Sequence, residues 1–132
     1  GSVSIEAKLQ FPELKVTEFE QRTEGKELME RNSRKFGTPG ITTVMGDFLE
    51  TEIGGLPAPD AVFIGGHGGK MIEILQKIKE VLLPDGVIVF NSVSEESKAL
   101  FTKGITQINK KVTQCTRIAV DAFNPIEIMR AE

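Results

Sequence analysis

Asp60-Ala-Val-Phe-Ile-Gly-Gly-His-Gly-Gly69 is an apolar run that stops in four glycines and one histidine. The apolar residues 61–64 have the character of a strand buried on both faces, as inside a parallel sheet. The glycines mark its carboxyl end. In an open α/β sheet that end is where ligands bind, because the loops there are free to reshape around a guest. Gly65, Gly66, Gly68 and Gly69 would let the main chain approach a ligand closely. Taken alone, they fit a plain strand-to-helix turn equally well.

Downstream, Met71, Ile72, Ile74, Leu75, Ile78, Val81 and Leu82 recur at helical spacing, which predicts an amphipathic helix over 70–83. Pro84-Asp85-Gly86 is a turn, and Val87 to Phe90 is a second fully buried strand. Asn91 and Ser92 then stand at its carboxyl end, level with the glycine loop. Ser94 opens a helix to about Ile108. Residues 112–122 are β-rich, Asn124-Pro125 turns the chain, and 126–129 return. The two runs are close enough to pair antiparallel, since a parallel partner needs a crossover of roughly a dozen residues. Cys115 falls within this strand pattern and is expected in the core.

Upstream, Ile41 to Met45 is a strand running into Gly46-Asp47-Phe48, and Gly54, Gly55, Pro57 and Pro59 make a loop leading to the glycine-flanked strand. A helix over 24–36 is predicted from a Thr23 cap, Glu24 in the first turn, Arg34 and Lys35 in the last, and Gly37 beyond. Residues 14–20 alternate as a strand ending in Glu20. The opening residues have two readings. Val3, Ile5, Ala7, Leu9 and Phe11 alternate as in a strand, whereas Gly1-Ser2 before Glu6, Ala7 and Lys8 resembles a turn feeding a helix capped by Ser2. Gly1-Ser2 also has the form of a cloning remnant.

With 132 residues, 39% hydrophobic and 27% charged, the chain has the size and composition of one globular domain. No apolar run approaches the roughly 20 residues that cross a bilayer, and no basic-then-apolar leader opens the chain, so the expected location is the cytoplasm and no membrane partner is expected. One cysteine and one histidine leave too few soft ligands for a structural zinc site. A net charge of −3 argues against a nucleic-acid surface. Lys98, Lys103, Lys110, Lys111 and Arg117 are read as a solvated helix face.

Two acids stand at strand ends. Glu20 can accept both hydroxyls of a ribose, and Asp47 can accept from the exocyclic amine of a purine, with Phe48 against the ring. Singly, each is an ordinary loop acid; in register at successive strand ends they point to a nucleoside site. His67 is either a general base or hydrogen-bond donor, or simply a loop residue. No nucleophile-plus-base set, phosphate loop or complete Gly-x-Gly-x-x-Gly is visible.

These pieces resemble the class I S-adenosylmethionine-dependent methyltransferases. Gly1-Ser-Val-Ser-Ile-Glu-Ala7, Glu20, Arg31-Asn-Ser-Arg-Lys-Phe-Gly37, Gly46-Asp47, the 59–69 motif, Asn91-Ser-Val-Ser94 and Asn124-Pro125 are similar to the C15-methylating, decarboxylating domain of precorrin-6Y C5,15-methyltransferases, over essentially the whole chain. The resemblance implies a Rossmann-like α/β sheet with a C-terminal antiparallel strand pair, forming a single methyltransferase domain over 1–132. It implies S-adenosylmethionine as cofactor, held by Gly1, Ser2, Glu20, Gln21, Gly46, Asp47, Phe48 and Gly65. Gly66, His67, Gly68, Gly69 and Asn91 would meet a precorrin tetrapyrrole, His67 and Asn91 being candidates for its carboxylates and the only candidates for a catalytic role. The implied reaction is methylation of C15 with loss of the C12 acetate carboxyl as carbon dioxide, in cobalamin biosynthesis. It further implies a homo-oligomer, often a tetramer, and in many members fusion behind a C5-methylating domain.

Two departures from the family pattern stand out. The strand and Asp-x-Gly-x-Gly-Thr turn that precede Gly1 in the family are absent. The chain is therefore expected to be incomplete at its N-terminus and to leave two strand edges unpaired. The turn between the last two strands is also short. Three other readings remain: a methyltransferase acting on another small molecule, a nicotinamide-dependent oxidoreductase with Glu20 on the adenosine ribose, and a non-catalytic nucleoside-binding module. Asn124-Pro125 is followed by Ile126, so the Asn-Pro-Pro-aromatic signature of amino-group methylation is missing.

Overall fold

A computed structural model describes residues 1–119, 121–122 and 125–132, so Asn124 of the expected turn lies outside the described residues. The chain divides into two compact units, Gly1–Thr51 and Glu52–Glu132.

In the first unit the opening segment is a helix, α1 (Ser2–Gln10), which decides between the two readings of its sequence. Only Ile5 and Lys8 are buried, one helical step apart, so the apparent alternation of apolar residues was the accidental pattern. Gly1, not Ser2, is the N-cap, and no side chain caps the helix. Lys8 Nζ donates to the Leu14 carbonyl at 2.8 Å and to that of Pro12, fastening the turn that follows. Strands β1 (Val16–Glu20) and β2 (Ile41–Met45) pair in parallel, with Glu20 opposite Met45. Between them runs α2 (Gly25–Phe36), closed by Gly37 in the left-handed conformation at φ 64°. Glu24 rather than Thr23 is its N-cap, again without a side-chain cap.

The second unit holds β3 (Ala61–Ile64), α3 (Met71–Val81), β4 (Val87–Ser92), α4 (Glu95–Gln107), β5 (Val112–Ile118) and β6 (Ile126–Ala131). Its sheet runs β3-β4-β6-β5, with β3 and β4 parallel and β6 antiparallel to both β4 and β5. The terminal antiparallel pair is therefore as expected. Among the described residues β1 pairs only with β2, and β3 only with β4.

The expectation that β3 and β4 are buried on both faces is corrected. Only Ile64 of β3 is buried, Phe63 being 38% exposed, and β4 alternates with Ile88, Phe90 and Ser92 inward. Strand pairing puts Ile64, Phe90 and Met129 on one face, and α4 lies against β4 while packing on α3. One face of the sheet is thus the core within this unit. Cys115 is exposed rather than in the core, because β5 is an edge strand exposed over most of its length. The basic residues do not share a helix face either: Lys98 and Lys103 lie on α4, Arg117 on β5, and Lys110 reaches the Gly86 carbonyl at 2.9 Å.

Helices α3 and α4 approach closely at Gly104, where an added Cβ would stand 2.4 Å from Leu75 Cδ1 and 3.1 Å from Ile72 Cδ1. Leu75 is fully buried, so its side chain would have to shift within the core. Gly104→Val is therefore expected to destabilise the fold by about 1 to 3 kcal/mol in urea unfolding, as overpacking of a filled core does. Unchanged stability would show that the helix pair can separate freely.

Candidate functional site

The first unit gathers the acids. Glu20 ends β1, and its carbonyl accepts the Gly46 N–H at 2.9 Å, so the end of β1 and the loop after β2 are joined directly. Gly46 has φ 129°, a conformation that favours glycine. The Asp47 carboxylate accepts the Leu49 N–H at 2.9 Å, and its carbonyl accepts from the Thr51 hydroxyl at 2.7 Å. Asp47 therefore shapes its own loop as an Asx turn. Phe48 meets Phe19 edge to face at 5.0 Å, which fixes its ring beside the same strand end. Gln21 and Ser2 are exposed.

Two glycines lie close against side chains in this unit. A Cβ on Gly25 would fall 2.2 Å from Glu20 Cγ, so the start of α2 lies directly against the Glu20 side chain. A Cβ on Gly1 would fall 1.7 Å from Met29 Sδ. The structure thus brings Glu20, Gly46, Asp47 and Phe48 together.

Arg22 closes over the Glu20 carboxylate. Oε1 accepts the Arg22 backbone N–H at 2.9 Å and Nε at 3.0 Å, and Oε2 accepts the second guanidinium arm at 2.8 Å. Chiefly through this side-chain hydrogen bond, and then the backbone one, the Glu20 pKa is lowered to about 2. The Arg22 side chain is 70% exposed against 17% for Glu20, so the pair is weak and the guanidinium can swing away. The sign follows from the lowered value: the pair contributes stability above the ordinary carboxylate range, and that contribution is lost as the pH falls towards 2. In Arg22→Ala the Glu20 carboxyl should titrate clearly above 2 but short of the ordinary 4.5, because the backbone N–H of residue 22 still donates to it, as followed by carboxyl NMR. A titration still near 2 would assign the shift to another cause.

The second unit gathers the glycine loop. Gly68 and Gly69 take φ 53° and 81°, so the conformational freedom expected here is used at the end of the loop. Gly66 and Gly68 are exposed, and their amides have no hydrogen-bond partner among the described residues. His67 is partly buried. Its Nδ1 accepts the Gly69 N–H at 3.1 Å, its Nε2 lies 3.0 Å from Ser97 Oγ, and its ring meets Phe90 at 5.9 Å. Asn91 is one residue past the last β3–β4 pair, Ile64 and Phe90, and so is level with Gly65. It belongs to β4 rather than following it, and it points to the face opposite Phe90. The structure therefore does not bring the His67 and Asn91 side chains together.

Ser97 was not among the residues singled out from sequence. The available signal was the Ser94-x-x-Ser97 spacing at the start of α4, where the Ser94 hydroxyl caps the helix by accepting the Ser97 N–H at 3.1 Å.

Among known proteins, a profile of the precorrin methyltransferase domain matches residues 1–131. The chain belongs to this family. A cobalt-precorrin-6B C(15)-methyltransferase (decarboxylating) of Salmonella typhimurium is 30% identical over 126 residues, covering 96% of this chain and 64% of the relative. A precorrin-6Y C(5,15)-methyltransferase [decarboxylating] of Sinorhizobium is 36% identical over 100 residues, 76% of this chain and 24% of that protein. The crystal structure of precorrin-6y C5,15-methyltransferase from Geobacter metallireducens superimposes with a TM-score of 0.87 at 29% identity, covering 99% of this chain and 73% of that one. The precorrin methyltransferase domain described here thus spans less than two thirds of the length of the Salmonella relative. Among the described residues no helix is long and apolar enough to cross a membrane, and no group of side chains could hold a metal ion.

Proposed function

We propose that this protein transfers a methyl group from S-adenosylmethionine to C15 of a precorrin tetrapyrrole and removes the C12 acetate carboxyl as carbon dioxide, within cobalamin biosynthesis. The observation that carries the cofactor assignment is the hydrogen bond from Gly46 to the Glu20 carbonyl, which sets a strand-end carboxylate beside a glycine-acid-aromatic loop on neighbouring parallel strands. That is the donor and acceptor set an adenosine requires. S-adenosylmethionine supplies an activated methyl group when bound; the chain supplies position.

Glu20 accepts the ribose hydroxyls once Arg22 swings aside, and remains charged through the neutral range with or without that partner, as an ordinary carboxylate does. Gly46, Asp47 and Phe48 hold the adenine, and Gly1, Ser2, Gln21 and Gly65 complete the contacts to the cofactor. The backbone N–H groups of Gly66 and Gly68, together with Asn91, receive the carboxylates of the tetrapyrrole. Holding the methyl donor in line with a meso carbon is the main contribution required, since positioning alone can supply several kcal/mol of the barrier, roughly 7 to 11 in favourable cases.

The names of the relatives support the substrate and the coupled decarboxylation. The small share of the Sinorhizobium protein that is matched supports fusion to a C5-methylating domain. A homo-oligomeric, cytoplasmic enzyme acting on a small molecule and not on nucleic acid completes the reading, the last point in keeping with a net charge of −3.

Calorimetric titration tests the cofactor. S-adenosylhomocysteine is expected to bind and a nicotinamide dinucleotide to give no heat; the reverse would move Glu20 to an oxidoreductase.

A further inference from the structure

We infer that Ser97 is a positioning residue for the substrate loop, acting through His67, and that His67 anchors this loop rather than carrying a proton. The inference rests on the proposed placement of the tetrapyrrole at loop 65–69.

The Gly69 amide can only donate, so His67 Nδ1 is the acceptor in that 3.1 Å bond and the neutral ring carries its proton on Nε2. Nε2–H then donates to Ser97 Oγ at 3.0 Å. With both nitrogens engaged and the ring edge on buried Phe90, the imidazole has no lone pair left for a substrate proton. Ser97 is itself held. Its amide donates to Ser94 Oγ at 3.1 Å, its hydroxyl is 3.0 Å from the same atom, and Ser92 Oγ ties the Ser94 carbonyl at 2.8 Å.

The sequence of the loop makes this anchor matter. In Gly65-Gly-His-Gly-Gly69 only one residue has a side chain beyond hydrogen, so His67 is the loop's one side-chain attachment to α4. Glycines lose the most freedom on ordering. Releasing the ring from Ser97 therefore frees the segment proposed to meet the tetrapyrrole carboxylates, while leaving the adenosine contacts of Glu20 and Gly46 to Phe48 untouched.

The test is a double-mutant cycle of Ser97→Ala and His67→Asn, with Ser97→Thr as the conservative control. His67→Asn keeps a short acceptor for the Gly69 amide but does not reach Ser97. Each single change should lower kcat/KM for the tetrapyrrole by about three- to tenfold, the loss of one hydrogen bond, with the affinity for S-adenosylhomocysteine unchanged. The double variant should lose no more than either single one, and Ser97→Thr should restore most of the loss. Additive losses, or His67→Asn far below Ser97→Ala, would overturn the inference by giving His67 a direct role. Imidazole nitrogen NMR separates this from failure of the functional reading. An Nε2–H tautomer and a protected Gly69 amide, whose protection falls in Ser97→Ala, are expected whatever the substrate; their absence in the unmodified protein would remove the anchor itself.

Discussion

Glu20→Ala is expected to weaken S-adenosylhomocysteine binding by about tenfold or more. A charged acceptor to a hydroxyl contributes on the order of 1.5 to 3 kcal/mol, and each 1.4 kcal/mol is a factor of ten in affinity. The carboxylate meets the requirement for a ribose diol on two counts: it ends a strand, and it is ionised at neutral pH with or without Arg22. Its current partner, Arg22, is exposed and bound through an ion pair of low worth, so the guanidinium does not stand in the way. Glu20→Gln should lie between the two, since the amide keeps one acceptor and loses the charge. Stability should hardly change, because Arg22 remains hydrated when its partner is removed. Unchanged affinity in Glu20→Ala would take this residue out of the cofactor site.

Phe101→Ala is expected to cost about 3 to 5 kcal/mol of unfolding free energy, the range for removing a buried aromatic side chain. Phe101 is 0% exposed, and its ring lies 5.1 Å from that of Phe90, which in turn carries His67. The cavity opens between α4 and β4, where neighbouring side chains are also fully buried and relax little. Urea unfolding reads the loss. A cost below about 1 kcal/mol would show that this face of the sheet collapses readily and is not the core of its unit.

Much of the fold was legible because its punctuation is local. Gly37 after Arg34 and Lys35, Ser94 before α4, and the helical spacing from Met71 onward each mark a helix by chemistry within one turn of the chain. Burial was less legible. Phe63 and Cys115 are residue types that belong in a core, but their exposure is decided by which face a helix covers and which strand stands at the edge. The opening helix was ambiguous for a related reason: it buries only Ile5 and Lys8, so its apolar pattern carried little weight.

At the site, Glu20, Gly46, Asp47 and Phe48 could be placed from strand ends alone, and the structure brings them together. Two partners could not be read in advance. Arg22 reaches back over Glu20 only because of the turn that follows β1. Ser97 is thirty residues from His67, and their contact depends on how α4 lies against β4.

The most direct measurement is a single-turnover incubation of the protein with S-adenosylmethionine and the precorrin substrate, with the product analysed by mass spectrometry. The expected product has gained one methyl group and lost one carbon dioxide, with S-adenosylhomocysteine formed in equal amount. A tetrapyrrole recovered unchanged by a protein that binds S-adenosylhomocysteine would contradict the assigned substrate.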